Sequence, residues 1–156
     1  TVAAAIEAVS EGDFSASNNA TKLSFKTGAS EAATEKMTLS STGVLTANVV
    51  LGGTDTDTSN TGNVTLDFSA KQNFVLTLTG NTTLTNPSTE NVGQSGFIAF
   101  IQDGTGGRTI TLGTDYETAG AAGITLTSTA AATDLVPYVV VAAGRILLGT
   151  PQLAFS

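Results

Sequence analysis

The sequence contains no cysteine, no histidine and no tryptophan, and only 12% of its 156 residues are charged. Without cysteine, the chain can form neither a disulfide bond nor a thiolate metal site. Without histidine, it lacks the commonest metal-binding side chain and the base of a Ser-His catalytic triad. These absences exclude disulfide-stabilised folds, thiolate metal sites and triad hydrolases.

Positive charge is also scarce. Six Lys and Arg residues stand against thirteen Asp and Glu residues, which gives a formal net charge of −7. The basic residues are scattered, whereas a nucleic-acid-binding surface requires a basic patch. The sequence also has no apolar run near the roughly 20 residues that cross a bilayer. We therefore expect no nucleic-acid partner and no membrane insertion.

Threonine, serine, asparagine and glycine take the place of charge, beside 40% hydrophobic residues. Threonine favours strands because its branched β-carbon suits a pleated, half-buried surface. Uncharged polar surfaces suit large subunit contacts, because interface cores are depleted of charge. The composition predicts an all-β protein that assembles with other subunits.

The N-terminal third divides into two segments. Residues 1–12 are Ala-rich, with Val2, Ile6 and Val9 at helical spacing, and we interpret them as a helical or frayed connector. Residues 13–51 alternate apolar and polar side chains in KLSFKTG and EKMTLSSTGVLTANV, which predicts a β-hairpin stem with a turn at STG. A single hairpin is marginally stable, so this stem needs partners.

Residues 52–62, GGTDTDTSNTG, contain no apolar side chain and are predicted to be a linker loop. Residues 63–156 are predicted to form a β-sandwich or jelly-roll-like knob. Its eight candidate strands are 64–68, 74–78, 82–85, 96–101, 109–112, 124–128, 135–141 and 145–148. Glycine and asparagine predict tight reversals at 79–81, 103–107 and 142–144.

Two of these strands are apolar on both faces. GFIAFI and LVPYVVV are nearly continuous apolar runs, unlike FVLTLTG and GITLTST, which alternate. Such runs are typical of central strands that are buried on both faces or covered by another subunit. Pro137 lacks a backbone N–H and is predicted at an edge or bulge.

Two stretches resemble modules of tailed-phage virion proteins. The run GFIAFIQDGTGGRTITLG, with ITLTSTAAATDL and the final apolar hairpin, resembles the C-terminal β module of phage tail fibres. NNATKLSFKTGASEAATEKMTLSSTGVLTA resembles the short hairpins of fibre shafts. The resemblance implies a homotrimeric tail fibre or virion appendage, located in the virion, that contacts other virion proteins and presents loops to a host surface glycan or protein. A capsid decoration or head-fibre protein, and a carbohydrate-binding module, are the alternatives.

Carboxylates are the remaining candidates for catalysis. Asp103, Asp115, Glu117 and Asp134 could supply the pair that a polysaccharide depolymerase needs. Each lies beside a predicted turn or loop, where Asp commonly caps backbone N–H groups. We therefore predict no enzymatic activity and no cofactor.

A metal site has only weak candidates. Asp55 and Asp57 in DTDTS could begin a calcium loop. Asn60 stands where an EF-hand has glycine, and Leu66 stands where it has its terminal acidic ligand. We predict no metal site here.

Four residues are predicted as surface contacts. Tyr116 lies in the segment TDYETAG, where a loop aromatic flanked by Asp115 and Glu117 could stack on a sugar or anchor a protein. The alternative is that Tyr116 packs at the edge of the knob. Arg108 follows the predicted GTGG hairpin turn and could pair with a carboxylate across a subunit boundary.

Overall fold

The computed structural model describes residues 3–155 and is all-β, with 54% of the chain in strands and 2% in helix. This confirms the predicted fold class. The chain divides between Leu51 and Gly52 into two compact units, which we call unit 1 and unit 2 in chain order. Across residues 3–155, no helix has the length and apolarity needed to cross a membrane.

Unit 1 is a four-stranded antiparallel sheet with its strands in sequence order. The strands are β1 (Ala4–Ser10), β2 (Thr21–Thr27), β3 (Thr34–Leu39) and β4 (Leu45–Ala47). The STG segment forms the predicted turn between β3 and β4, where Gly43 adopts a φ of 82° and Ser40 N–H donates to Val44 O over 2.9 Å.

The helical connector predicted for residues 1–12 is wrong over β1, and Thr1 and Val2 lie outside the described residues. Every residue of β1 pairs with β2, from Ala4 opposite Thr27 to Ser10 opposite Thr21. A lone helix of this length is marginal in water, whereas a strand added to a neighbouring strand gains a full ladder of hydrogen bonds. Tertiary pairing therefore overrides the helical spacing.

Unit 2 contains one eight-stranded sheet in which β5, β6, β7, β10, β11 and β9 lie side by side, with β8 along β6 and β12 along β10. The pairs among β5, β6, β7 and β8 are parallel, and β9 pairs with β11 in parallel. The strands are β5 (Thr54–Thr65), β6 (Asn73–Thr85), β7 (Ser95–Gln102), β8 (Ile110–Leu112), β9 (Tyr116–Thr118), β10 (Thr133–Ala142), β11 (Arg145–Leu148) and β12 (Gln152–Phe155).

The long parallel strands β5 and β6 must bend. A straight strand as long as β5 would measure about 36 Å, yet the connection from Thr65 to Asn73 spans at most about 28 Å when fully extended. The pairing register shifts twice between Asp57 and Gly62, which marks the bend. Beyond it, β6 pairs with β8 instead of β7, so unit 2 has two walls around one core.

Asn60 pins the bend from inside. Its side chain is 1% exposed, and its Nδ2 donates to the carbonyl oxygens of Asp57 and Thr77, both over 3.1 Å. Its own carbonyl accepts a hydrogen bond of 3.3 Å from the Thr82 hydroxyl. These bonds satisfy backbone groups that the shifted register removes from the ladder.

The core lies between the two walls. Aromatic rings cluster in it around Phe68, which lies in the connection from β5 to β6. Phe68 has its ring centroid 5.0 Å from that of Phe74 and 5.2 Å from that of Tyr138. The other buried apolar residues of the core are Leu66, Leu76, Leu78, Leu84, Ile98, Phe100, Tyr116, Val136, Val140, Ile146 and Leu148.

Several predicted loops and turns are wrong. Residues 54–62, predicted as part of a linker, form most of β5, because a polar Thr-rich segment suits an exposed edge strand. Residues 79–81 do not reverse the chain and lie inside β6 at the bend. Residues 103–107 are not a hairpin turn, since β7 and β8 both run parallel to β6. The reversal at 142–144 is confirmed as the β10–β11 hairpin.

The predicted strand 124–128 has no strand partner among the described residues. Ile124 and Leu126 nevertheless pack against the core, as the alternation predicts. The segment is held at Thr127, whose backbone N–H and hydroxyl donate to the Asp134 carboxylate over 2.6 and 2.8 Å. A side-chain anchor therefore replaces ladder pairing.

We predict that Asn60→Ala lowers the free energy of unfolding by about 1–2 kcal/mol, because two partly buried carbonyl oxygens lose their donor, while removal of Asn60 Oδ1, which is buried without a partner among residues 3–155, offsets part of this loss. Chemical denaturation, monitored by circular dichroism, measures this change. Asn63→Ala, an exposed position of the same strand, is the matched control and should change stability by less than about 0.5 kcal/mol. Equal effects of the two substitutions would contradict a pinning role for Asn60.

Candidate functional site

A cavity of about 650 Å³ lies beside β8 and β9 and contains two of the predicted contact residues, Tyr116 and Glu117. Ile110, Leu112 and Ile124 supply apolar parts of its lining. Among the described residues, β8 pairs only with β6 and β9 pairs only with β11, so each strand leaves one edge open. We call this hollow the β8–β9 cavity.

Tyr116 is a core residue and not a surface aromatic. It begins β9, is 5% exposed, and has its ring centroid 6.4 Å from that of Phe68. Its hydroxyl is buried without a hydrogen-bond partner among residues 3–155, and burial raises the pKa of this hydroxyl well above its ordinary value. Of the two interpretations of Tyr116, a packing role agrees with this burial and an exposed loop aromatic does not, so the ring is not available to stack on a sugar.

Glu117 lies next to Tyr116 in β9 and forms an ion pair with Arg145 of β11. The Arg145 Nε and Nη2 groups donate to the two carboxylate oxygens over 2.7 and 2.9 Å. This guanidinium lowers the pKa of the Glu117 carboxyl, so the pair stays ionised. Sequence analysis missed Arg145, because only the parallel pairing of β9 with β11 brings these distant positions together.

Arg108 pairs within its own chain. Its Nη2 lies 2.8 Å from Asp103 Oδ2, and the backbone N–H groups of Thr105 and Gly106 donate to Asp103 Oδ1. The hydrogen bond from Arg108 is the main cause that lowers the pKa of the Asp103 carboxyl. The Gln102 side chain also bonds the Arg108 backbone N–H and carbonyl over 2.8 and 2.9 Å. Arg108 thus fixes the loop after β7.

Asp134 and Asp115 each hold a loop in place, the first through its carboxylate and the second through its backbone carbonyl. Asp134 is 1% exposed and accepts three hydrogen bonds, two from Thr127 and one of 2.8 Å from the Ala154 N–H. Asp115 is half-buried, and its backbone carbonyl accepts a 2.7 Å bond from the Ile146 N–H. Both therefore join segments that are distant in the sequence.

Asp55 and Asp57 lie on β5, at the open edge of the unit 2 sheet. Their pairing opposite the buried Phe74 and Leu76 places both on the core-facing side of the strand. Inward charges on an edge strand discourage pairing with further strands. Within residues 3–155, no group of three or more acidic side chains is arranged to hold a metal ion.

These features define a class of protein: an all-β module in which the Asp103 and Asp134 carboxylates hold loops and Glu117 forms an ion pair. A family model described as "Putative phage tail fibre C-terminal domain" matches residues 54–145, more than half of the chain. The chain belongs to this family, and it is a structural phage tail protein and a component of the virion. The predicted resemblance is confirmed. No curated protein and no solved structure matches the chain.

The two ends of the matched segment coincide with the first residues of two strands in unit 2. It begins at Thr54, the first residue of β5, and ends at Arg145, the first residue of β11. It therefore contains the bent parallel strands, β10 and the β8–β9 cavity, and it lies entirely within unit 2.

The two core tyrosines provide a matched pair of substitutions. Tyr116→Phe removes a buried hydroxyl that has no partner, so we expect it to be neutral or to stabilise the fold by up to about 1 kcal/mol. Tyr138→Phe removes a hydroxyl that donates to Gln72 O over 2.5 Å, and should destabilise by about 1 kcal/mol. Chemical denaturation measures both. A clear loss of stability in Tyr116→Phe would show that its hydroxyl has a partner.

Proposed function

We propose that the chain is one subunit of a homotrimeric tail fibre, in which unit 1 acts as the stem that joins three copies and unit 2 acts as the knob. The knob presents its loops to a glycan or protein of the host surface and has no catalytic activity. One observation carries the trimer: a sheet face in unit 1 that is apolar and open.

The register of unit 1 places apolar side chains in two rows across one face of the sheet. Antiparallel partners project to the same side, and residues two apart in a strand also share a side. We call the resulting surface the unit 1 apolar face. It consists of Ile6, Phe25, Met37 and Ala47 in one row and Ala8, Leu23, Leu39 and Leu45 in the other.

This face is exposed although its residues are those of a protein core. Ile6 is 71% exposed and Leu45 is 62% exposed, while Leu23 and Leu39 are close to 40%. Each such side chain gains about 1.5–3 kcal/mol when it is fully buried. A single sheet must bury its apolar face against another layer, and residues 3–51 of unit 1 form one sheet without a second layer.

The opposite face of unit 1 is polar and already covered. Ser24 is 0% exposed and donates to Glu35 over 2.8 Å. Lys22 and Glu35 form an ion pair of 2.9 Å, and Lys26 pairs with Glu7 over 2.6 Å. The polar and charged groups on this side of the sheet therefore bond to one another, and the apolar side is the one that requires a partner.

Identical copies are the partners that fit this face. Chains with a net charge of −7 repel one another, and a contact surface without charge adds the least to that repulsion. The unit 1 apolar face carries none, so burying it leaves no unpaired charge. The resemblance of unit 1 to the hairpins of fibre shafts favours three copies around one axis.

Membership of the tail fibre family supports a role in host attachment. The loops at residues 103–107 and 119–123 are largely exposed and are held at fixed places by Asp103, Arg108 and Thr118. Rigidly mounted loops are a common means of presenting a binding surface. The Asp103, Asp134 and Glu117 carboxylates already take part in hydrogen bonds or ion pairs within the chain, which supports a role without catalysis.

Mass in solution tests the trimer. We expect the full chain to have three times the 15.6 kDa chain mass by light scattering or analytical ultracentrifugation. Leu45→Asp should reduce the mass to that of one chain, because it places three carboxylates in the shared core. Thr46→Asp, its exposed neighbour on the opposite face, is the matched control and should leave the trimer intact. A wild-type monomer at micromolar concentration would refute the trimer.

Attachment is tested separately with the fluorescently labelled full chain and susceptible host cells. We expect saturable binding that competes with phage adsorption and is lost when the protein is heat-unfolded, because the loops depend on the folded scaffold. Excess purified host polysaccharide distinguishes a glycan receptor from a protein receptor. A folded trimer that neither binds cells nor slows adsorption would leave the chain with a purely architectural role.

A further inference from the structure

Strand β10 is apolar on both of its faces, although its sheet covers the core on only one. Val136, Tyr138 and Val140 face the core and are at most 4% exposed. The alternate residues of the same strand face outward, and among them Val139 is 37% and Val141 is 39% exposed. A strand that faces water on one side normally alternates with polar residues there.

The apolar surface extends to the strands on either side of β10. Pairing places Phe97 beside Pro137 and Leu147 beside Val139, on the same outward side. We call this surface the unit 2 outer face. It consists of Phe97, Ala99, Ile101, Leu135, Pro137, Val139, Val141 and Leu147, and the ion-paired Glu117 and Arg145 border it beside Leu147 on the same side.

The other wall of unit 2 provides an internal comparison. It is formed by the later halves of β5 and β6 together with β8, and its outward side chains are polar. They are Asn63, Thr65, Thr83, Thr85 and Thr111. The sequence thus places threonine outward where a wall faces solvent, so apolar outward residues on β7, β10 and β11 indicate a covered surface.

The unit 2 outer face also contains a depression. A hollow of about 300 Å³ is lined by Pro137, Val139, Leu147 and Gly149. Pro137 occurs where β10 changes partner from β12 to β11, so its missing N–H removes no ladder bond on that side. The hollow has room for an apolar side chain of a partner.

We propose that the unit 2 outer face is a second contact between copies, and that the same face of the neighbouring copies in the proposed trimer covers it. This inference rests on the trimer under Proposed function. The first argument is that the face carries no net charge. Its eight residues are apolar, and the Glu117 and Arg145 side chains at its border neutralise each other, so a contact here adds no repulsion between chains of net charge −7. A nucleic acid or an anionic surface would require unpaired basic residues, and Arg145 at this border is already paired with Glu117.

The size of the face is the second argument. A stable interface between free proteins involves roughly 20–30 residues a side, and the unit 2 outer face has far fewer. It can still be occupied when the copies are already joined elsewhere, since a short tether gives an effective concentration in the millimolar range. Unit 1 supplies that tether, so the neighbouring copy is the partner that a face of this size can hold.

Cross-linking tests the contact, and the cysteine-free sequence makes the test simple. Single variants Ile101→Cys and Val139→Cys place one thiol per chain on the unit 2 outer face. Asn63→Cys places one thiol on the polar wall of the same unit and is the matched control. With a short bismaleimide and the full chain, we expect covalent dimers from at least one face variant and only background from the control.

A second measurement does not depend on thiol geometry. Val139→Asp should lower the melting temperature of the assembled protein by roughly 4 °C or more, whereas Asn63→Asp should leave it nearly unchanged. If the protein is a trimer, but neither face variant cross-links above the control and Val139→Asp melts like wild type, the second contact alone is overturned. A wild-type monomer would overturn this contact together with the trimer.

Discussion

The fold of unit 2 depends on a limit of reach. Parallel strands need a return connection, and here the returns are too short to span a straight strand, so β5 and β6 must bend. Asn60 makes the bend tolerable by bonding the carbonyls that the shifted register leaves free. The second wall and the enclosed core both follow from the bend. Because β5 and β6 bend, their first and second halves lie in different walls, and the core packs between those walls.

The two units place their apolar surfaces differently. Unit 2 encloses a core and presents outward apolar residues on β7, β10 and β11, whereas the described part of unit 1, residues 3–51, forms a sheet without a second layer. Its sheet covers polar Ser24 with ion pairs and leaves leucine and isoleucine open. Such surfaces are stable in water when other molecules cover them, which is the role that the proposed trimer gives to identical copies of the chain.

The strands of the core could be predicted from the sequence, whereas β1, most of β5 and the parallel pairing in unit 2 could not. The apolar runs at β7 and β10 mark buried strands, and the Thr-Leu alternation marks half-buried strands, because burial on each face determines residue type. Glycine and asparagine at 79–81 and 103–107 signal unusual backbone geometry, yet they fit a bulge as well as a reversal. For the same reason, the burial of Tyr116 and the Glu117–Arg145 pair depend on parallel pairing that no local pattern encodes.

Asp55 and Asp57 have a further consequence for the sheet of unit 2. An open edge strand such as β5 can pair with a strand of another chain, and repeated pairing of this kind builds the stacked strands of an amyloid fibril. The Asp55 and Asp57 carboxylates, on the core-facing side of β5, make such an addition unfavourable, because it would remove them from water. The exposed edge of this sheet is therefore protected against unlimited strand addition by two side chains alone.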